Sequence, residues 1–264
     1  MIILKIGGSI ITEKSSDEPK VNYEQLDRIT TEIAEAYKKM DKKLIILHGA
    51  GSYGHPIVKR TGIHMGISNN KQLVDFAETQ RLQNELNTIV TGELIKKGVP
   101  AIPVQASATA IMKNGKLISM DTSVIKGFVD IGLVPVLYGV PAYDSEQKCS
   151  ILSGDQIAPF LAKNLGADSI IHATDVDGIF TANPKEDKNA KLIEKITNEN
   201  LTQVKNYLSG SSHTDVTSGM LGKVMELANI AKEGTKCVIL NGLKQGRIKN
   251  ALLGKQVTGT VVEF

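Results

Sequence analysis

"HGAGSYGHP", residues 48–56, follows the apolar run "KLIILH" (43–48), and its reading settles what kind of fold the chain adopts. Gly49, Gly51 and Gly54 have the G-x-G-x-x-G spacing associated with dinucleotides. That assignment needs a helix opening on the glycines, a second strand, and an acidic residue near its end about 20 residues on. Here Pro56 follows at once, Gly62 breaks the next stretch, and Asp75 falls inside a helical pattern. No G-x-x-x-x-G-K-[ST] loop occurs either. What remains is a glycine-rich turn at a strand end, where amides unobstructed by a Cβ can cradle an anion.

The same punctuation recurs along the chain. Short apolar runs at 2–6, 43–48, 101–104, 134–139, 169–174, 236–240 and 259–264 read as strands covered on both faces. Helical patterns lie between them, near 22–40, 70–97, 121–131, 154–165, 198–208, 219–233 and 246–252. This alternation predicts an α/β fold with a mostly parallel sheet and helices on both sides. "KNGK" (113–116) predicts a tight hairpin and 140–151 a second one. A boundary between an N-terminal and a C-terminal half is placed at the turn around Gly166.

With 41% hydrophobic and 22% charged residues in 264, the chain can bury one large core or two small ones. A net charge of +3, without a block of five like charges, gives no support to a nucleic-acid or membrane role. No stretch approaches the ~18 apolar residues of a membrane span. Cys149 and Cys237 are far apart and lack partners at metal-ligand spacing, so they read as buried or free thiols. The N-terminal apolar run is too short for a signal peptide, and the expectation is a cytoplasmic protein.

In open parallel sheets ligands bind beyond the carboxyl ends of the strands, so the residues that follow each strand carry the functional information. Strand one ends in Gly7-Gly8-Ser9 and strand two in Gly49-Ala50-Gly51; two such loops suit two phosphates, or a phosphate donor and an acceptor. Lys5 interrupts an apolar strand just before its glycines, where an unpaired charge is costly. Lys14 lies just past that loop, and Lys223 one turn into a helical pattern. Three lysines at one sheet edge match phosphoryl transfer, which needs cations around the migrating group. Asp155 in "SGD" can cap the helix it opens or hold two lysines in place. Asp175 and Asp177 can reach a ribose or a metal-nucleotide, and the later ligands of a calcium loop are missing there.

Together "LKIGGSIIT", "HGAGSYGHP", "SGDQI", "ATDVDGIFTANPK" and "TDVTSGMLGKV" resemble the amino acid kinase superfamily, and most closely its archaeal-type isopentenyl phosphate kinases. The five motifs run in order from residue 2 to about 260. The resemblance implies a three-layer αβα sandwich, with acceptor bound by the N-terminal half and ATP by the C-terminal half. It implies that Lys5, Gly7, Gly8 and Ser9 face the ATP phosphates and that Lys14 stabilises transition-state charge. Ala50, Gly51, His55 and Gly154 would hold the acceptor, Asp155 would orient the lysines, and Thr174, Asp175, Gly219 and Lys223 would belong to the nucleotide site. Two departures put a small Cβ where the family usually has glycine: Ala50 and Ser218.

His55 then has a role: in the phosphate-accepting relatives a histidine in this place donates to the acceptor's phosphate. A phosphate monoester has a second pKa of about 6, so at neutral pH it is already a nucleophilic dianion and needs no general base. His48, His64, His172 and His213 are read as structural. The helical pattern from Met65 to Ile95, with Leu73, Phe76, Leu86 and Ile89, is expected to supply either core or a wall for an apolar acceptor tail. The implied activity is Mg2+-dependent phosphorylation of isopentenyl phosphate by ATP in a homodimer, with magnesium held by nucleotide and water. Alternatives are a fosfomycin-type phosphonate kinase, another small-acid kinase of the same fold, and a non-catalytic nucleotide-binding protein.

Overall fold

The computed structural model describes residues 1–13, 16, 18–184, 186–209 and 219–264. All seven apolar runs are strands of one sheet: β1 (Ile2–Ile6), β2 (Leu44–His48), β3 (Ala101–Pro103), β6 (Val134–Tyr138), β9 (Ser169–Thr174), β13 (Lys236–Asn241) and β14 (Gly259–Val262). With the two-residue β12 (Lys195–Ile196), their order is β12-β14-β13-β9-β1-β2-β6-β3, while β10 (Ile179–Phe180) and β11 (Leu192–Ile193) pair with each other alone. Pairing is parallel throughout except between β13 and β14. The chain leaves β1 toward β2 on one side and returns at β9 on the other. The carboxyl ends of these strands therefore open on a common crevice.

The seven helical patterns are α2 (Tyr23–Tyr37), α4 (Asn70–Lys96), α5 (Ser123–Asp130), α6 (Gly154–Leu165), α7 (Leu201–Ser209), α8 (Gly219–Ala231) and α9 (Arg247–Leu252). Asn22 and Asn69 cap α2 and α4, accepting from the amides of Gln25 and Gln72. Gly166 ends α6 in the left-handed region at φ 67°. Two further helices occupy the glycine loops: α1 (Gly8–Ile11) and α3 (His55–Thr61). Pro56 does not prevent α3, as the sequence had suggested; it lies in the first turn, where its missing N–H has no intrahelical partner to lose. The helix stops after two turns at Gly62, with φ 70°.

Alternation along the strands sends residues to two separate cores. Ile2, Leu4 and Ile6 pack with Leu26, Ile29 and Leu86 of α2 and α4. Ile3, Leu47, Ile170 and Ile239 pack on the opposite side with Ile157, Leu161, Val224 and Leu227 of α6 and α8. Burial of these aliphatic side chains, at about 2 kcal/mol each, is the main force holding helices to both faces. This is the expected three-layer αβα arrangement, and Lys5 shares the α6–α8 face with Ile3.

A four-stranded side sheet in the order β5-β4-β7-β8 is built from the two expected hairpins: β4 (Ala110–Lys113) with β5 (Lys116–Met120), and β7 (Val140–Asp144) with β8 (Lys148–Leu152). Asn114 and Gly115 turn the first at φ 48° and 76°. The buried Asp144 carboxylate accepts from the amides of Gly115, Glu146 and Gln147 and locks one hairpin to the other. Among the described residues no helix is long and apolar enough to cross a membrane.

Candidate active site

The two glycine loops, read separately in the sequence, are pressed against each other. A Cβ on Gly8 would lie 2.2 Å from Gly51 N and 2.9 Å from Gly49 C, all backbone. Gly51 has φ +52°, and a Cβ there would lie 2.0 Å from Thr12 Oγ1. Thr12 Oγ1 donates to Gly8 O at 2.9 Å and accepts from Ser52 N at 3.0 Å, stapling the loops together. Among the described residues, the amides of Gly8, Ser9, Ala50 and Gly51 donate to no backbone carbonyl. Gly7 donates to Ala173 O at 2.8 Å and is part of the strand's own anchoring. Ala50 is accommodated without strain, since its φ −72°, ψ −36° suits any residue.

Beneath these loops lies a charged cluster. Lys5 is only 8% exposed, and its Nζ donates to Asp155 Oδ1 at 2.6 Å. Lys223 Nζ, from α8, donates to the same oxygen at 2.8 Å. Asp155, in the first turn of α6, thus ties that helix to β1 and α8. Gly154 makes room for the lysine stem: a Cβ there would lie 3.2 Å from Lys5 Cε. Burial lowers the Lys5 ammonium to about 8, with Asp155 opposing the fall. Burial alone would raise Asp155, but Lys5 and Lys223 overcome it and hold the carboxyl well below its usual range.

Three site residues stand elsewhere around the crevice. Thr174 Oγ1, at the end of β9, donates to Val176 O at 3.0 Å and Leu240 O at 3.3 Å, shaping the turn that carries Asp175. Asp177 is fixed by Asn241 Nδ2 at 3.0 Å and Arg247. Gly219 opens α8, the helix that delivers Lys223. Lys14 and Ser218 lie outside the described residues.

His55 lines a cleft with Ala50, Gly54, Val58, Gln83 and Ile151. It is exposed at the N-terminus of α3. Of the proposed wall, Leu86 belongs to the core, Ile89 packs against it, Phe76 joins a small cluster with Val58 and Ile63, and Leu73 is exposed. The polar residue in the cleft that sequence reasoning missed is Gln83, 0% exposed and with no hydrogen-bond partner for either side-chain atom among the described residues. His172, read as structural, stands inside β9. It is wholly buried beside Asp155, its Nδ1 3.4 Å from Oδ1. His48 has the expected structural role: Nδ1 donates to Gly49 O at 3.0 Å, Nε2 faces Asn87 Nδ2 at 3.1 Å, and its ring stacks on Tyr138.

Glycine loops with amides that donate to no backbone carbonyl among the described residues, two converging lysines and a tethering carboxylate at the mouth of a parallel sheet form an arrangement suited to phosphoryl transfer. The chain belongs to the amino acid kinase family, whose sequence model matches residues 1–241. Within that family it is 40% identical to the isopentenyl phosphate kinase of Methanothermobacter thermautotrophicus over 98% of both chains. It is 37% identical to the isopentenyl phosphate kinase of Methanocaldococcus jannaschii, over 100% of this chain and 99% of the other. A solved isopentenyl phosphate kinase structure superimposes with a TM-score of 0.86, at 37% identity and 99% coverage of each chain.

Proposed function

We propose that the protein transfers the γ-phosphoryl group of ATP to isopentenyl phosphate, releasing ADP and isopentenyl diphosphate. The observation that carries this reading is the meeting of two glycine loops whose Gly8, Ser9, Ala50 and Gly51 amides donate to no backbone carbonyl among the described residues, with Lys5 and Lys223 joined on Asp155 and His55 in a cleft lined by Ala50 and Gly54. The cleft suits a phosphate-bearing acceptor and the lysine cluster a nucleoside triphosphate. The 37–40% identity to isopentenyl phosphate kinases along the whole chain supports the choice of acceptor.

An acceptor phosphate oxygen attacks the γ-phosphorus, the bond to the β–γ bridging oxygen breaks, and ADP leaves with that electron pair. His55 and the amides of Ala50 and Gly51 hold and aim the attacking dianion, which needs no base at neutral pH. Gly8 and Ser9 amides with Lys5 and Lys223 balance charge on the transferred group and on ADP, and Lys14 adds to them. Asp155 positions the two lysines. Gly154 and Gly7 give the backbone and the lysine stem their approach, while Thr174, Asp175 and Gly219 border the nucleotide. Magnesium supplies further charge neutralisation on the ATP phosphates. Nucleotide oxygens and water would hold it. The N-terminal half takes the acceptor and the C-terminal half ATP, in a cytoplasmic homodimer.

The test is ADP release with Mg-ATP for the wild type and His55→Ala, comparing isopentenyl phosphate, fosfomycin, glutamate and acetylglutamate. Turnover of isopentenyl phosphate alone, with KM sharply raised or kcat lost in the variant, is the expected result. Turnover of a different acceptor would keep the fold and site and replace the substrate.

A further inference from the structure

His48 is the last residue of β2, on the strand face that Leu44 and Ile46 give to the core beneath α2 and α4. It is wholly buried, and so is Asn87 of α4, whose helix neighbours Leu86, Val90 and Leu94 are aliphatic. An imidazole and an amide in such a place cost stability unless hydrogen bonds replace their hydration. The bonds present fix where each proton lies. Gly49 O, 3.0 Å from His48 Nδ1, can only accept, so Nδ1 carries the hydrogen. Val136 O, 3.1 Å from Asn87 Nδ2, can likewise only accept, so the amide NH2 points there and its second hydrogen meets His48 Nε2 at 3.1 Å. Nε2 is then the bare nitrogen of a neutral ring, and burial, which lowers the imidazole to about 4, keeps it neutral. The Tyr138 ring stacks on it, with centroids 5.5 Å apart.

The carbonyl that His48 grips belongs to the glycine loop. Gly49 must lack a side chain, because a Cβ there would lie 2.6 Å from Gly8 N. The same lack leaves the peptide joining Gly49 to Ala50 free to tilt. No backbone bond opposes the tilt: among the described residues Gly49 O accepts from no backbone amide, and the Ala50 amide donates to no backbone carbonyl. What holds this peptide plane is the His48 Nδ1–H on Gly49 O. In a trans peptide the carbonyl and the following N–H point in opposite directions. Drawing Gly49 O onto the buried imidazole therefore turns the Ala50 N–H away from the core. Ala50 is a wall of the cleft that contains His55. A hydrogen bond weakens steeply as its donor swings off line, so the angle of this plane decides what the amide is worth to an anion.

We infer that His48 is a positioning residue for the acceptor: through its hydrogen bond to Gly49 O, in the tautomer that Asn87 selects, it aims the Ala50 N–H at the acceptor's phosphate. No bond is made or broken at His48, which acts through the peptide plane alone. The inference rests on the reading of the cleft as the acceptor site and holds for any acceptor that presents a phosphate or phosphonate there.

His48→Leu removes the donor, and His48→Asn keeps an N–H near the Nδ1 position. Leu is expected to raise the KM for isopentenyl phosphate about tenfold, the effect of misaiming one hydrogen bond to a charged group, with the KM for ATP unchanged. Asn is expected to recover most of that loss. A residue that served packing alone would lower the melting temperature in both variants and move neither KM. If His48→Leu does not fold, Asn87→Leu keeps the imidazole and removes only the donor to Nε2; the acceptor KM is then expected to rise about threefold. Two readouts on the wild type need no turnover. Spectra of [15N]histidine-labelled protein should show His48 protonated at Nδ1 and bare at Nε2, and in [15N]alanine-labelled protein the Ala50 amide should move downfield on addition of isopentenyl phosphate without nucleotide. A proton on Nε2, an acceptor KM unchanged in the Leu variants, a rise shared equally by ATP, an Asn variant as poor as Leu, or an Ala50 amide moved by neither isopentenyl phosphate nor fosfomycin would overturn the inference. An amide that moves with fosfomycin and not with isopentenyl phosphate would reject the substrate reading and support this one.

Discussion

Replacing Asp155 with Asn tests the electrostatic account of the site most directly. The change keeps shape and removes one charge from beneath two ammonium groups. Lys5 and Lys223 lie 2.6 and 2.8 Å from Oδ1. At an effective dielectric constant of about 20, each pair is worth about 6 kcal/mol of gross Coulomb attraction. Most of this is cancelled by desolvation of three charges and by repulsion between the lysines. Breaking such a pair while leaving its cations buried costs a net ~3 kcal/mol. For a chain of this size that corresponds to a melting temperature lower by roughly 5 °C at pH 7.

The sign of the pH dependence follows from Lys5. Its folded pKa, about 8, already lies below the ordinary 10.5, and losing Asp155 removes the chief influence that raises it. In the variant Lys5 should therefore titrate below 8. Above that point the unfolded chain binds the extra proton, so part of the lost stability should return as pH rises. Calorimetry between pH 6 and 9 follows the stability, and Cε resonances of [13C]lysine-labelled protein follow the titration. An Asn variant that melts within a degree or two of the wild type, or whose Lys5 still titrates at 8 or above, would refute the reasoning.

Gly8→Ala should push the two loops apart, because its Cβ meets only backbone; stability is expected to fall by about 2 kcal/mol and turnover by about 100-fold, read by urea unfolding and ADP release. Gln83→Leu should leave stability unchanged or raise it by about 1 kcal/mol, since it exchanges an unpartnered buried amide for a similar apolar volume. A loss greater than that in urea would reveal a partner for the amide. His48 is held down to about 4 by burial, so it contributes stability above about pH 6.5 that is lost as pH falls toward its folded value. His48→Gln should flatten that part of the stability–pH curve.

Element type was legible wherever side-chain pattern alone decides it. Unbroken aliphatic runs can only be strands covered on both faces, and Asn114-Gly115 can only favour a tight hairpin. Where a residue's meaning depends on its position within an element, the sequence misled. Pro56 reads as a breaker of helices and in fact sits in the first turn of one. Gln83 looks like any polar residue on a long helix until α3 and β7 close over it. The glycines were read as turns whose open amides can cradle an anion; the structure adds that Gly8 and Gly51 are also needed because the two loops touch backbone to backbone.

The chain's own order of residues determined the αβα layering, the family, and the gathering of glycines, lysines and aspartates at strand ends. The layering follows from side-chain periodicity and the strand-end residues from turn chemistry, which act over a few residues, and the family from the resemblance of five motifs. Only the tertiary structure decided that Lys5, His172, Asp155 and Lys223, drawn from β1, β9, α6 and α8, meet at one carboxylate oxygen. Strand register sets which side chains become neighbours across a parallel sheet, and register is a property of the folded whole, invisible in any stretch of the chain by itself.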